Sequence, residues 1–305
     1  MNKSNVLARF LVAFGWLQIV YLVACAPASA STQVKFKQVQ NQIVVQVTVN
    51  SAGPFDFIFD TGASSTVIDF ALARQLVISP IESSSVLTIS GSKTAPRYRL
   101  DSLALGPKSA KNLTVLCADL REIHAINPKL RGVLGQNFLS GFDYILNHRD
   151  QRIEFEEDGE FANTLQGTRI PVERERGRVL IGTQPSSNQK QASTLVMDSG
   201  ASTVVVFTFA PKVSDLEIDL DLNVGTTVST MTGNKRVSTG KLRKLRIGDE
   251  NFADLPVMVV AAAEGRSEDG LLPTRLFRSI YFNNTHNFVI LNPRLPEQRG
   301  IAKTH

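Results

Sequence analysis

Hydrophobic and polar residues alternate with a period of two along much of the chain. The alternation is clear at residues 34–37, 44–49 and 153–155, and runs rich in Val, Ile, Thr and Phe are separated by clusters of Gly, Pro, Asn and Ser. A period of two places successive side chains on opposite faces of a β-strand. The pattern therefore predicts an all-β fold with few short helices.

Two short segments depart from this alternation. Asp69 precedes the apolar-rich residues 70–76, which is the arrangement of an N-cap and a short helix. Residues 273–277 begin with a proline and are predicted to open another helix.

One pentapeptide pattern occurs twice, each time directly after an apolar strand-like run. Asp60-Thr61-Gly62-Ala63-Ser64 follows residues 57–59, and Asp198-Ser199-Gly200-Ala201-Ser202 follows residues 195–197. Two such strings in one chain are poorly explained by chance. Duplication of a functional element explains them better.

The repeat extends beyond the pentapeptides. Val133 and Leu134 recur as Leu271 and Leu272, and a group of four residues recurs with its glycine: Leu100, Leu103, Leu105 and Gly106 match Leu242, Leu245, Ile247 and Gly248. This self-similarity predicts two homologous lobes, residues 31–165 and 166–305. The boundary is placed in the polar stretch 156–167.

Two aspartates on equivalent loops suit general acid–base chemistry. Two carboxyl groups a few ångströms apart cannot both ionise at low cost, so Asp60 and Asp198 are expected to share one proton. One group can then act as a base on a water molecule while the other acts as an acid. Gly62 and Gly200 allow close approach of the loops, and the hydroxyl groups of Thr61 and Ser199 can tie the loops together.

These features resemble the retropepsin- and pepsin-like aspartyl protease clan, in the form of a bacterial single-chain member with two lobes. In that clan a bulky apolar pair and a glycine pass behind each aspartate loop, and Val133-Leu134-Gly135 matches this element. In the second copy Pro273 stands where a glycine like Gly135 is expected. The resemblance implies a pepsin/retropepsin-like double β-barrel and an endopeptidase that uses Asp60, Asp198 and a shared water.

The resemblance also implies a flap, a hairpin that closes over the substrate, in each lobe. The candidates are residues 86–100 around Gly91 and residues 228–241 around Gly233. It further implies a polypeptide substrate, no cofactor or metal, and a monomer, since each lobe supplies one aspartate. Ala63 and Ala201, where pepsins often carry serine, favour a mildly acidic to neutral pH optimum.

Two alternative functions fit the same sequence. One is a catalytically impaired pepsin-like protein that binds peptides in the cell envelope. Pro273 is the only residue in the sequence that indicates this function. The other is an envelope interaction protein in which the aspartate loops only hold the lobes together. Both predict that the carboxyl groups are dispensable or do not share a proton.

The N-terminal residues have the pattern of an export signal. Lys3 and Arg9 precede the apolar residues 10–24, which are too few to favour a membrane-spanning helix. Cys25 at the end of a lipobox-like string predicts a signal peptide of residues 1–24 and a lipid anchor, whereas residues 28–30 suit ordinary cleavage after residue 30. We expect an exported, periplasmic protein, and an outer-membrane lipoprotein if Cys25 is acylated.

Net charge and residue spacing argue against several other functions. The formal net charge of +5 falls to +3 once Lys3 and Arg9 are removed, which does not favour a nucleic-acid partner. The four histidines have no paired-ligand spacing for zinc. Cys117 lies in a strand-like run and is expected to be a buried, inert thiol.

Overall fold

The computed structural model describes residues 32–88, 91–125, 127–184, 192–208, 216–230, 233–261 and 263–294. The N-terminal segment with Cys25 lies outside the described residues, so the predicted signal and lipid anchor stay predictions. Within the described part of the chain, we find no helix with the length and apolar character needed to cross a bilayer.

The first lobe is built on an eight-stranded sheet in the order β2-β3-β4-β9-β5-β8-β7-β6. Parallel pairing joins β4 to β9 and β5 to β8, and the other neighbours are antiparallel. The strands are β2 (Lys37–Val39), β3 (Gln42–Val49), β4 (Ala52–Phe59), β5 (Val67–Asp69), β6 (Pro80–Thr88), β7 (Gly91–Leu105), β8 (Lys108–Ala118) and β9 (Leu130–Leu134).

The second lobe repeats this sheet strand for strand, in the order β13-β14-β15-β20-β16-β19-β18-β17. The parallel pairs recur at the equivalent places, β15 with β20 and β16 with β19. The strands are β13 (Glu173–Glu175), β14 (Arg178–Gly182), β15 (Thr194–Asp198), β16 (Val204–Phe207), β17 (Ile218–Thr230), β18 (Gly233–Ile247), β19 (Glu250–Val260) and β20 (Gly270–Pro273). The predicted all-β, bilobal fold with duplicated lobes is therefore confirmed.

A six-stranded sheet, in the order β1-β11-β10-β21-β22-β12, takes strands from both halves of the chain. Its centre is the antiparallel pair β10–β21, in which Tyr144 lies opposite Phe282 and Leu146 opposite Ile280. The strands are β1 (Gln33–Lys35), β10 (Tyr144–Asn147), β11 (Arg152–Phe155), β12 (Arg169–Pro171), β21 (Ser279–Asn283) and β22 (Phe288–Leu291). This sheet contains strands from both sides of the predicted boundary between residues 165 and 166. It therefore does not test that boundary.

Helices are few and short among the described residues. They are α1 (Phe70–Gln75), α2 (Arg121–His124), α3 (Gln136–Leu139) and α4 (Glu160–Thr164), the last within the polar stretch predicted as the boundary. As predicted, the Asp69 side chain caps α1 by accepting a hydrogen bond from the Leu72 N–H. The helix predicted at residues 273–277 is only a 3₁₀ turn, Thr274–Leu276, because Pro273 and Phe277 on either side are extended.

The interior is apolar and continuous between the lobes. Phe57, Phe59 and Leu134 of the first lobe and Met197 and Leu272 of the second belong to one buried cluster. These side chains come from the strands that carry the two pentapeptides and from the strands that pass behind them. Burial of this cluster therefore fixes the two loops relative to each other.

The internal repeat is also visible in the turns. Gly106 and Gly248, which match in the sequence, both have positive φ, +55° and +56°, where a side chain is disfavoured. Each lies in the turn between its long hairpin strand and the next strand, β7–β8 or β18–β19. The correspondence predicted from the sequence thus holds at the level of backbone conformation.

Candidate active site

Each aspartate lies at the buried end of a strand in the middle of its sheet. Asp60 directly follows β4, and its N–H donates to the Leu134 carbonyl of β9 at 3.0 Å. Asp198 is the last residue of β15, where it lies opposite Pro273 of β20 in the parallel register. The apolar pairs predicted to pass behind the loops, Val133-Leu134 and Leu271-Leu272, are the parallel neighbours of the two strands.

The two loops hold their carboxyl groups in the same way. Asp60 Oδ1 accepts hydrogen bonds from the Gly62 N–H at 2.8 Å and the Ala63 N–H at 3.1 Å. Asp198 Oδ1 accepts from the Gly200 N–H at 2.7 Å and the Ala201 N–H at 3.0 Å. Because one oxygen of each group is held by its own loop, the orientation of both carboxyl groups is fixed.

The glycines place each carboxyl group against the opposite loop. A Cβ atom on Gly62 would lie 2.4 Å from Asp198 Cγ, and one on Gly200 would lie 3.1 Å from Asp60 Cγ. Any side chain at Gly62 would overlap the carboxyl group of the other lobe. The structure therefore brings Asp60 and Asp198 together across the interface of the lobes.

The hydroxyl groups of Thr61 and Ser199 form a reciprocal network between the loops. Thr61 Oγ1 donates to the Met197 carbonyl at 2.7 Å and accepts from the Ser199 N–H at 3.0 Å. Ser199 Oγ donates to the Phe59 carbonyl at 2.7 Å and accepts from the Thr61 N–H at 3.0 Å. All four bonds are buried, so the structure supports the tying role that the sequence suggested for both hydroxyls.

Two glutamines that the sequence analysis did not single out also hold the loops. Gln42 Nε2 donates to the Gly200 carbonyl of the other lobe at 2.9 Å, and Gln136 Nε2 donates to the Thr61 carbonyl at 2.9 Å. Gln136 is fully buried and comes directly after Gly135. That position next to the apolar pair is the one sequence signal that could have identified it, whereas Gln42 lies in an ordinary alternating strand.

Burial raises the pKa of both carboxyl groups. Desolvation is the largest cause at Asp60, followed by the charge of Asp198, and together they raise the pKa of Asp60 to about 8. Desolvation also raises the pKa of Asp198, against the opposing effects of its loop N–H groups, of the hydrogen bond with Asp60 and of the Arg178 charge. A pair with these properties retains one proton well above the pH at which isolated carboxyl groups ionise.

The departure at Pro273 does not separate the two aspartates. Gly135 has no room for a side chain, since a Cβ atom there would lie 2.6 Å from the Ser65 backbone. Pro273 is buried at the corresponding place with φ −62° and ψ 125°, an extended conformation in which the strand continues to the level of Asp198. Proline is tolerated here because its fixed φ suits the extended backbone.

The two glycines predicted at the flap tips begin the returning strands of long hairpins. Gly91 is the first residue of β7 and pairs with Thr88, and Gly233 is the first residue of β18 and pairs with Thr230. The tips themselves, residues 89–90 and 231–232, lie outside the described residues. Both lobes therefore carry a hairpin at the predicted place, and the substrate role of Gly91 and Gly233 stays a prediction.

Cys117 is not part of this site. It is a free thiol, fully buried in β8, and burial raises its pKa to about 11. A thiol with a raised pKa is a poor nucleophile. The burial and the raised pKa of Cys117 agree with the prediction that this thiol is inert.

Comparison with known proteins gave one family. A family model described as Aspartyl protease matches the chain twice, at residues 45–138 and 184–274, which together cover more than half of it. Each match contains one of the two aspartate loops. No curated protein matched the chain.

Proposed function

Since the chain belongs to the aspartyl protease family, we propose that it is an endopeptidase that hydrolyses peptide bonds through Asp60, Asp198 and a water molecule held between them. The observation that carries this proposal is the approach of the two carboxyl groups across the lobe interface, where Gly62 contacts Asp198 and Gly200 contacts Asp60. No cofactor is required. Since each lobe supplies one aspartate, one chain suffices.

In the proposed mechanism the ionised carboxylate removes a proton from the water as its oxygen attacks the substrate carbonyl carbon. The protonated carboxyl group donates a hydrogen bond to the carbonyl oxygen, and a proton then passes to the leaving amine as the carbon–nitrogen bond breaks. The raised pKa of Asp60 suits the acid, and the nearby Arg178 charge favours the anion at Asp198. The Gly62, Ala63, Gly200 and Ala201 N–H groups keep the pair oriented during the reaction.

The test measures cleavage of a denatured protein by the purified full-length chain from about pH 3 to pH 8, with and without pepstatin. Asp60→Asn and Asp198→Asn should each reduce the rate by at least about 100-fold, the lower end for loss of a general acid or base. Asp101→Asn is the matched control, because Asp101 is exposed in β7. Cleavage that survives both active-site substitutions would rule out the mechanism.

The same assay decides between the enzyme and the peptide-binding alternative. We expect the rate to peak at mildly acidic to neutral pH, because the pair keeps its shared proton there. A profile that peaks only at about pH 2 would contradict the assigned protonation states. Peptide binding without cleavage at any pH would favour the binding protein.

We also propose that the protein is exported and carries a lipid on Cys25, and the support for this is the sequence pattern alone. Cells grown with labelled fatty acid should incorporate label into the wild-type chain but not into Cys25→Ser. The mass of the mature protein should match a chain that starts at Cys25. A soluble, unlabelled product that starts near residue 31 would favour ordinary cleavage instead.

A further inference from the structure

A cavity of about 190 Å³ lies beside the Asp60 loop, between the β6–β7 hairpin and the second lobe. Ser64, the last residue of the pentapeptide, and Ser65 line it together with Ser84 and Ser85 of β6, Arg97 of β7 and Arg176 of the second lobe. A water molecule needs only about 10–15 Å³ of such space, so the cavity has room for a side chain. We call it the Ser–Arg cavity.

Most side chains that line the Ser–Arg cavity are polar and can donate hydrogen bonds, and Val86, Val115 and Leu116 supply the apolar part of the lining. An apolar side chain that filled it would remove hydroxyl and guanidinium groups from water without offering an acceptor, which is unfavourable. A carboxylate offers two oxygens that can accept several of these bonds at once. The chemistry of the lining therefore fits an acidic side chain.

The position of Arg176 is set by the packing of its turn. Arg176 and Gly177 both have positive φ in the β13–β14 turn, and a Cβ atom on Gly177 would lie 3.0 Å from Gln136 Cβ. Gln136 in turn bonds the Thr61 carbonyl. The turn of the second lobe is thus packed against the residues that support the Asp60 loop, and this brings Arg176 to the cavity.

The charges around the cavity leave an excess of positive charge. Arg97 bonds Glu82 at 2.7 Å across the β6–β7 pair, so its charge is largely offset. Glu175, next to Arg176 in sequence, is engaged with Arg178 at 2.5 Å. Arg176 is exposed and has no ion pair among the residues that the structure describes.

We propose that the Ser–Arg cavity binds an acidic side chain of the substrate, close to the bond that is cleaved. The inference rests on the proposed protease function and adds a substrate class to it, namely polypeptides with Asp or Glu near the cleavage site. Free carboxyl groups of such side chains titrate at about pH 4. The preference should therefore be present at about pH 6 and disappear below about pH 4.

The experiment uses the full-length protein and matched peptides that differ only by Glu or Gln, placed in turn at each position flanking the cleaved bond. At one position and about pH 6, kcat/KM should favour Glu about tenfold, the effect of one charge-assisted hydrogen bond. Arg176→Gln should reduce this ratio to about one, and Arg176→Lys should restore part of it. Arg149→Gln, at an exposed arginine in the turn between β10 and β11, should retain the wild-type ratio.

A second measurement keeps the inference separate from the protease proposal. Peptides with a non-cleavable bond in place of the peptide bond are titrated against wild-type protein by calorimetry. Tighter binding of the Glu peptide, lost in Arg176→Gln, supports the cavity assignment even if no peptide is cleaved, in which case only the protease proposal fails. Equal dissociation constants for the Glu and Gln peptides at every position would overturn the assignment, whatever the cleavage result.

Discussion

At the scale of single residues, Gly62 and Gly200 set the separation of the two carboxyl groups. Neither glycine is required by a positive φ, since neither has one. They are required by space, because each faces the carboxyl group of the opposite lobe. A methyl group at Gly62 would displace Asp198, whereas one at Gly200 would need only a small shift of Asp60.

Gly62→Ala should therefore lower kcat/KM by at least about 100-fold, since a displacement of about 1 Å in an active site has this effect. Gly182→Ala is the matched control, because a Cβ atom on that exposed β14 glycine would contact nothing within 4 Å. Rates are measured with any peptide that the wild type cleaves. A Gly62→Ala protein as active as the control would show that the carboxyl groups need not approach as closely as they do here.

Thr61 contributes to stability as well as to loop geometry. Thr61→Val should lower the free energy of unfolding by about 1–3 kcal/mol, because the buried Met197 carbonyl and Ser199 N–H both lose their partner. Thr61→Ser retains the hydroxyl and should stay closer to wild type. Urea unfolding curves of the three proteins test this, and equal midpoints for Val and wild type would contradict it.

The raised pKa of Asp60 also predicts how stability depends on pH. In the unfolded chain the group ionises near its usual value of about 4, whereas the folded protein holds the proton up to about pH 8. The folded state thus binds more protons between these values, so the stabilising contribution is complete at low pH and is lost as the pH rises towards 8.

Asp60→Asn should accordingly flatten this pH dependence. The difference in unfolding free energy between about pH 4.5 and pH 7.5 should shrink by on the order of 2 kcal/mol relative to wild type. Asp101→Asn, an exposed substitution, should leave the slope as it is. Parallel curves for wild type and Asp60→Asn would mean that Asp60 ionises normally in the folded protein.

At the scale of elements, the strands behind the two loops tolerate different residues at equivalent places. Gly135 follows β9 with the Ser65 backbone 2.6 Å from where its Cβ atom would lie, while Pro273 ends β20 with a complete ring. The two lobes have thus diverged in how the chain turns from this strand into the next helical turn, α3 in one lobe and Thr274–Leu276 in the other.

This difference gives a matched pair of substitutions. Gly135→Ala should destabilise the protein by about 2 kcal/mol or more, because the new methyl group meets backbone that cannot move freely. Pro273→Ala should cost less than about 1 kcal/mol, mainly through the greater freedom of the unfolded chain. Thermal unfolding measures both, and similar losses for the two would contradict the assigned difference in space.

Much of this arrangement could be predicted from the sequence because its signals are local. The loops are identified by an apolar strand followed by Asp-Thr-Gly in one copy and by Asp-Ser-Gly in the other. The strands are identified by the alternation of hydrophobic and polar residues. Gln42 could not be identified, because its bond to Gly200 joins residues 158 positions apart and depends on how the lobes meet. The sequence predicts a longer helix after Pro273 than the 3₁₀ turn that is found. A proline can indicate where a helix begins, but it does not indicate where the next strand begins and the helix ends.

At the scale of the whole molecule, the six-stranded sheet joins strands of both lobes in one structural unit. Tyr144 of β10 stacks on Phe282 of β21, with ring centroids 5.0 Å apart, and also contacts Phe59, the residue before Asp60, at 5.7 Å between ring centroids. These contacts join both halves of the chain to the floor of the candidate site. A substitution that disrupts the packing of one lobe should therefore destabilise the other lobe as well.

Tyr144→Ala should lower the free energy of unfolding by about 3 kcal/mol, as for other large aromatic side chains removed from a core. Hydrogen exchange should show the amides of β4 and β15 losing protection together, although Tyr144 belongs to the first half of the chain. Tyr144→Phe keeps the ring and should keep the protection. Loss confined to β4 would mean that the lobes unfold independently.

The β10–β21 pairing joins two strands that are copies of each other. Tyr144 and Ile145 match Tyr281 and Phe282 in the repeat, and Tyr144 lies opposite Phe282 while Ile145 lies opposite Tyr281. The two strands therefore contact each other through equivalent residues. This is the self-complementary contact found in an isologous homodimer. A single lobe with this strand at its edge already carries the surface by which two identical copies would associate about a two-fold axis.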